Sequence, residues 1–276
     1  TLTNAGVYIL SLSVTNAAGI GATSAQSCTV TVTRAETETA DRYVVAGNPL
    51  AAAPYGSWET AAPDIQTAVD AASAGETILV WKGVYDQGGR TNAAGAIPNR
   101  VIVDKAVTVR AASSRPEDTI IRGQWHAVET YNVPMPVETY LGTNATRGVL
   151  LYPGARLEGF TVEGGATRAV TGADGRGGGV WASNATAVIS NCVIRGNMAN
   201  EQGGGVWGGT LIECRLEDNR SFGTGGGAAY AVLRSCGVSN NAAASLGGGG
   251  RLLYLVLECD CAQSGSDGWK WRWWRV

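Results

Sequence analysis

Histidine occurs once in the 276 residues, as His126, and Met and Phe occur twice each. One histidine without a C-x-x-C pair leaves no ligand set for a structural zinc ion. No G-x-S-x-G elbow is present, and His126 has no Ser and Asp companions at motif spacing, so an esterase triad built on His126 is only a formal possibility. Charge is sparse as well: DEKR residues make up 16% of the chain and the formal net charge is -2. That balance gives no electrostatic reason to expect nucleic acid or an anionic membrane as partner. No apolar run reaches the length of a membrane span. No basic segment followed by an apolar one opens the chain, so no signal peptide is visible. A start at Thr1 reads as a processed or trimmed chain, so the missing signal says little about location.

Glycine is what the chain has in excess, with 39 residues, and it is arranged periodically. Cys192, Cys214 and Cys236 stand 22 residues apart, and Cys259 follows after 23. Asn197, Asn219 and Asn241 keep the same interval, as do glycine triplets centred on Gly204, Gly226 and Gly248. A period of this length fits a leucine-rich repeat or a parallel β-helix. The leucine-rich pattern is absent, and the density of Gly and β-branched residues disfavours helices. Short alternating apolar runs between Gly/Asn turns read as strands. One unit is then one coil of three short strands, stacked about 4.8 Å on the last. The cysteines are expected to point inward as a buried ladder, since a free thiol packs as a small hydrophobe; one or two disulfides between coils stay open. Asn and Gly are expected at the turns, where positive φ is cheap for them.

Upstream the period loosens. "RLEGFTVEGG" (156–165) matches "VISNCVIRGN" with Phe160 in the cysteine place, and 32 residues separate Phe160 from Cys192. The extra residues are expected within "ATRAVTGADGRGGG". One helix is predicted over 64–74, with Ile65, Ala68, Val69 and Ala72 as its apolar stripe, Asp64 as a first-turn acid and Gly75 as its stop. Placed before the strand "ETILVWKGVYD", it suits a lid over the open end of the solenoid.

The stretch "IQTAVDAASAGETILVWKGVYD" (65–86), followed by glycine-triplet coils bearing "NCVIRGN", resembles the pectate-lyase-like superfamily of right-handed parallel β-helix proteins. Within it the chain looks most like bacterial extracellular repeats related to polymorphic outer-membrane proteins. The resemblance covers about 55–265 and implies an all-β, right-handed, single-stranded parallel β-helix with an N-terminal capping α-helix. It also implies a secreted or cell-surface location. It does not carry an activity, because this fold hosts lyases, hydrolases, esterases, adhesins and binding proteins. Clustered calcium-binding Asp residues with a catalytic Arg or Lys, as in pectate lyases, find no match here, nor do pectin-esterase or polygalacturonase motifs. Ca²⁺ is the one cofactor left open; the metal ligands are unknown.

Residues 1–34 carry two alternating runs and resemble the closing strands of a PKD or related immunoglobulin-like sandwich: Gly6, Tyr8, Leu10, Leu12 and Val14 fit the first, 28–33 the last. Residues 35–61 read as a linker, polar and acidic at 34–43, and 62–268 as the β-helix with its cap. The Trp-rich end, 269–276, "WKWRWWRV", breaks the glycine rhythm. It reads as a strand closing the last coil, as a frameshifted tail, or, least favoured, as a membrane-active segment.

Two insertions leave the repeat, 123–147 and 164–178, and loops on a rigid solenoid are where binding or catalysis tends to reside. The first holds Trp125, His126, Glu129, Tyr131, Glu138 and Tyr140; the second holds Arg168, Asp174 and Arg176. Glu129, Glu138, Arg168 and Asp174 are the catalytic candidates: two carboxylates about 5–10 Å apart would serve glycoside hydrolysis, and an Arg beside an Asp-bound metal would suit β-elimination from a uronate. Trp125, His126, Tyr131, Tyr140 and Arg176 are the substrate-binding candidates, by stacking and hydrogen bonding to sugars. The plain alternative is that the aromatics only pack the loop on the wall. The first functional expectation is a surface module that binds polysaccharide; a lyase or hydrolase using these loops and a structural or adhesive stalk are the alternatives. Self-association through exposed solenoid ends is open.

Overall fold

The computed structural model describes residues 39–91, 97–125 and 141–244, together with strand backbone at 6–11, 27–32 and 250–251. Two compact units are present, Thr1–Thr39 and Ala40–Val276. In the first, β1 (Gly6–Ser11) pairs antiparallel with β2 (Ser27–Val32), from Gly6 opposite Val32 to Ser11 opposite Ser27. The PKD-like reading of this segment has no support beyond that pair of strands. Leu12 and Val14 lie outside the described residues.

The second unit is a right-handed parallel β-helix. Its first sheet has seven strands: Arg42–Val44, Thr77–Val80, Thr108–Ala111, Arg156–Glu158, Val188–Ser190, Thr210–Ile212 and Val232–Arg234. The second has six, among them Thr119–Arg122, Thr161–Glu163, Val193–Arg195 and Arg215–Glu217. The third also has six, including Asn99–Val103, Arg147–Leu151, Val180–Ala182, Val206–Trp207 and Ala228–Ala229. Every pairing in these sheets is parallel and in sequence order, as a chain that winds in one direction requires. The period of two turns alternate side chains inward. Val109, Leu157, Ile189, Leu211 and Leu233 form one buried row, and Ile121, Val162, Ile194 and Leu216 another. Arg42–Val44 belongs to this solenoid, inside the span that composition marks as linker.

One α-helix occurs among the described residues, α1 (Ile65–Ala71), shorter than the stretch 64–74 predicted from its pattern. Asp64 is its N-cap rather than a first-turn acid: its carboxylate accepts from the Thr67 N–H at 2.8 Å. Ile65, Ala68 and Val69 are buried in the solenoid core. Gln66 closes the open edge by imitating a strand. It accepts from the Ile102 N–H at 2.7 Å and donates to the Ile102 carbonyl at 3.1 Å.

The periodic Asn197, Asn219 and Asn241 do not make the turns. Positive φ falls one residue earlier, at Gly164, Gly196, Asp218 and Asn240, and Asn197, Asn219 and Asn241 then point inward, buried. Asn197 Nδ2 donates to Asn219 Oδ1 at 3.0 Å, and Asn219 Nδ2 to Asn241 Oδ1 at 2.9 Å. An amide inside the stack joins one coil to the next, which a turn position would waste. The other corner is built alike: Gly159, Asn191, Glu213 and Ser235 take positive φ, followed by Phe160, Cys192, Cys214 and Cys236. These three cysteines are buried free thiols; Cys259 lies outside the described residues. The glycine triplets answer a close approach of backbones. A Cβ on Gly204 would stand 2.3 Å from the Arg220 carbonyl oxygen, and one on Gly226 2.3 Å from that of Ala242.

Candidate functional site

On the second sheet Arg122, Glu163, Arg195 and Glu217, each the last residue of its strand, face outward, and the register places unlike charges side by side. Glu163 lies opposite Arg122 on one neighbour and Arg195 on the other, and Arg195 lies opposite Glu217. Arg122 donates to Glu163 Oε1 from Nε at 2.9 Å and from Nη2 at 2.7 Å. Arg195 donates to Oε2 from Nε at 3.0 Å and from Nη2 at 2.8 Å. Burial alone would push the Glu163 carboxyl up, but these hydrogen bonds outweigh it and hold the group below the usual carboxylate range. Glu163 therefore stays ionised and fixes both guanidinium planes. Asp86 stands 4.0 Å from Arg122 on the outer side.

A cleft of about 260 Å³ opens beside this row, lined by Arg122, Trp125, Glu163, Gly164, Arg195, Gly196 and Asp218. Gly164 and Gly196 give it a floor without side chains; in the next coil the same corner carries Asp218, which forms a wall. Trp125 remains 40% exposed at its rim. Of the first insertion's candidates, Trp125 thus reaches a cleft, while His126, Glu129, Tyr131, Glu138 and Tyr140 lie outside the described residues.

The second insertion connects the second sheet to the third and is tied down at many points. Arg147, wholly buried, donates to the carbonyls of Ala173, Arg176 and Gly177 and to Asn99 Oδ1. Burial lowers its pKa to about 10, with Asp174 opposing, and it remains charged at neutral pH. Arg176 forms an ion pair with Glu201 at 2.7 Å and lies over the Trp207 ring at 5.6 Å. Glu201 also accepts from the Gly172 N–H at 2.9 Å. The Arg168 N–H donates to the Asp174 carbonyl at 3.1 Å. Arg176 is thus engaged in holding the loop, and the cleft lining beside Trp125 includes none of Arg168, Asp174 and Arg176.

Next to this loop, on the third sheet, Trp181 and Trp207 stack at 5.2 Å and 9° between planes, and Tyr230 follows at 6.0 Å. The two indoles turn their faces to one another and Tyr230 is tilted by 45°, so the row ties coils together. Sequence reading missed Arg122, Glu163 and Arg195. Their signal is an outward Arg/Glu alternation in "TIIR", "TVE", "VIR" and "RLE", visible once the strands are set in register. Among the described residues, no cluster of three or more His, Cys, Asp or Glu is placed to hold a metal ion, and no helix is long and apolar enough to cross a membrane.

No protein-family model matches the chain, and no curated protein matches it. Among solved structures it is similar to rice weevil pectin methyl esterase, with 16% identity over 74% of this chain and 57% of that chain and a TM-score of 0.43. It is similar to the pectin methylesterase PemA from Erwinia chrysanthemi, with 12% identity over 77% of this chain and 59% of that chain and a TM-score of 0.43. It is also similar to a pectin methylesterase from Aspergillus niger, with 15% identity, 84% and 88% coverage and a TM-score of 0.35. The chain spans less than two thirds of the length of the first two. Values this low assign neither an activity nor matching residues; the fold rests on the strand register above.

Proposed function

We propose that this protein is an extracellular or cell-surface β-helix module that binds acidic polysaccharide in the cleft beside Trp125. The observation that carries the reading is an exposed indole at the rim of a groove whose wall is a pair of guanidiniums held in place by one carboxylate. An indole offers a face to a sugar ring. Arg122 and Arg195 each spend Nε and Nη2 on Glu163, which leaves Nη1 of Arg195, and Nη1 of Arg122 shared at 4.0 Å with Asp86, to meet a sugar carboxylate. The two arginines sit on strands on either side of the Glu163 strand, so a chain lying along the solenoid axis meets both. Binding is favoured over turnover because Glu163 is held ionised, whereas a proton donor to a glycosidic oxygen needs a raised pKa.

Affinity electrophoresis against polygalacturonate, pectin and dextran tests this. Retardation by polygalacturonate, little by dextran, and loss of retardation in Trp125→Ala are expected. Equal mobility in all gels, or retardation that Trp125→Ala leaves intact, overturns the reading. Release of reducing ends or absorbance at 235 nm from the same polymers would move the claim to an enzyme.

A further inference from the structure

A second cleft, of about 440 Å³, lies against α1 at the opening coils, on different residues from those beside Trp125. Its volume is in the range of small-molecule sites. Arg100 in its wall is 8% exposed, and of its five N–H donors Nε serves the Arg122 carbonyl at 2.8 Å and Nη1 serves the Gly88 carbonyl. Among the described residues no further hydrogen bond reaches its remaining donors, and Asp86 acts on this guanidinium only through space. A buried cation supported by two carbonyls is poorly compensated, and an anion would complete it. The rim is of another character. Asp70 Oδ1 receives both Gln66 Nε2 at 2.9 Å and Arg90 Nη1 at 2.5 Å, which among the described residues leaves Oδ2 as an open acceptor. Asp64, by contrast, is used up in capping Thr67, so the site is not the end of the helix. With two Asp and two Arg in the lining, the cleft suits a ligand that has both a carboxylate and hydroxyl donors better than a bare anion.

We propose that this cleft binds a sugar acid, its carboxylate on Arg100 and its hydroxyls on Asp70. The test is calorimetric titration of the full chain with D-glucuronate, and with D-glucose and sulfate as controls. Glucuronate should bind at least tenfold more tightly than either. No heat with glucuronate, or sulfate binding as tightly, overturns the assignment. Val84→Trp places an indole at the mouth, where Val84 is 41% exposed, without touching the Arg100 bonds. It should weaken glucuronate at least tenfold with an unchanged thermal midpoint, and unaltered affinity would contradict the proposal. Arg100→Gln should abolish binding; if that variant fails to fold, Val84→Trp still decides. A glucuronate oligomer separates the two sources of this chemistry. Heat that Val84→Trp removes and that scales with chain ends assigns a chain terminus, and no such heat assigns the free acid. Heat that scales with total residues overturns both.

Discussion

Each regular coil turns two built corners, and the two are made from the same parts with different outcomes. Both begin with a residue at positive φ and follow it with a small side chain pointing inward. At the corner between the first and second sheets the inward group is a thiol. Its shortest bonds run to the carbonyl two residues back, at 3.1 Å for Cys192 and 3.3 Å for Cys214 and Cys236, with longer ones between coils, from the Phe160 N–H to Cys192 at 3.4 Å and from Cys214 to the Ile189 carbonyl at 3.4 Å. At the corner after the second sheet it is an amide, whose Asn219 Oδ1 serves both the Asn197 N–H at 3.1 Å and Asn197 Nδ2 at 3.0 Å. The thiol fills space, and Phe160 fills it equally well one coil earlier. The amide carries hydrogen bonds that nothing apolar replaces. Same geometry, different tolerance.

Asn219→Ala should therefore show the largest effect. It orphans two donors of Asn197 and takes the amide from the Ile194 carbonyl, while Asn241 Oδ1 keeps only the Asn219 backbone N–H. A loss of about 3–5 kcal/mol is expected from denaturant titration, since each buried orphan costs about 1–3 kcal/mol. Gly204→Ala comes next at about 1–3 kcal/mol, the usual scale for overpacking, because its Cβ meets the Arg220 carbonyl. Cys214→Ala, the matched change at the other corner, should cost about 1 kcal/mol through the lost sulfur volume. A Cys214→Ala loss equal to that of Asn219→Ala would erase the contrast.

Two pH effects sharpen it further. The neighbouring Cys214 thiol, then burial, holds Cys236 well above its ordinary range. A raised folded value means that its stabilisation is full below the unfolded pKa, about 8.5, and fades as pH rises beyond it. Because all three thiols are buried, alkylation at pH 8 should leave Cys192, Cys214 and Cys236 unlabelled until denaturant is added. Glu163 runs the opposite way. Its depressed folded value gives stability that is present above about pH 4.3 and is lost as pH falls through that folded value. The difference in thermal midpoint between wild type and Glu163→Gln should shrink on acidification below pH 4.

The solenoid was legible because it repeats: one interval carried cysteines, asparagines and glycine triplets together, and a helix cannot accommodate that glycine density. The role of the asparagines was not legible, since a turn residue and an inward residue differ by one position and by the sign of φ, which composition does not display. Arg42–Val44 was hidden by the polar run before it and by its shortness. The Arg122–Glu163–Arg195 row was hidden by uneven coil lengths: its partners lie 41 and 32 residues apart, outside the 22-residue interval. Trp125 could be singled out as an aromatic leaving the repeat, but the charged wall beside it could not.

The most direct measurement is the affinity of the wild type and of Arg122→Gln/Arg195→Gln for an oligogalacturonate, taken by calorimetry at two salt concentrations. The expected result is wild-type binding that weakens with salt and a double variant that loses at least tenfold in affinity and most of that salt dependence. Wild-type affinity and salt dependence retained by a folded double variant would contradict the assignment of the cleft beside Trp125.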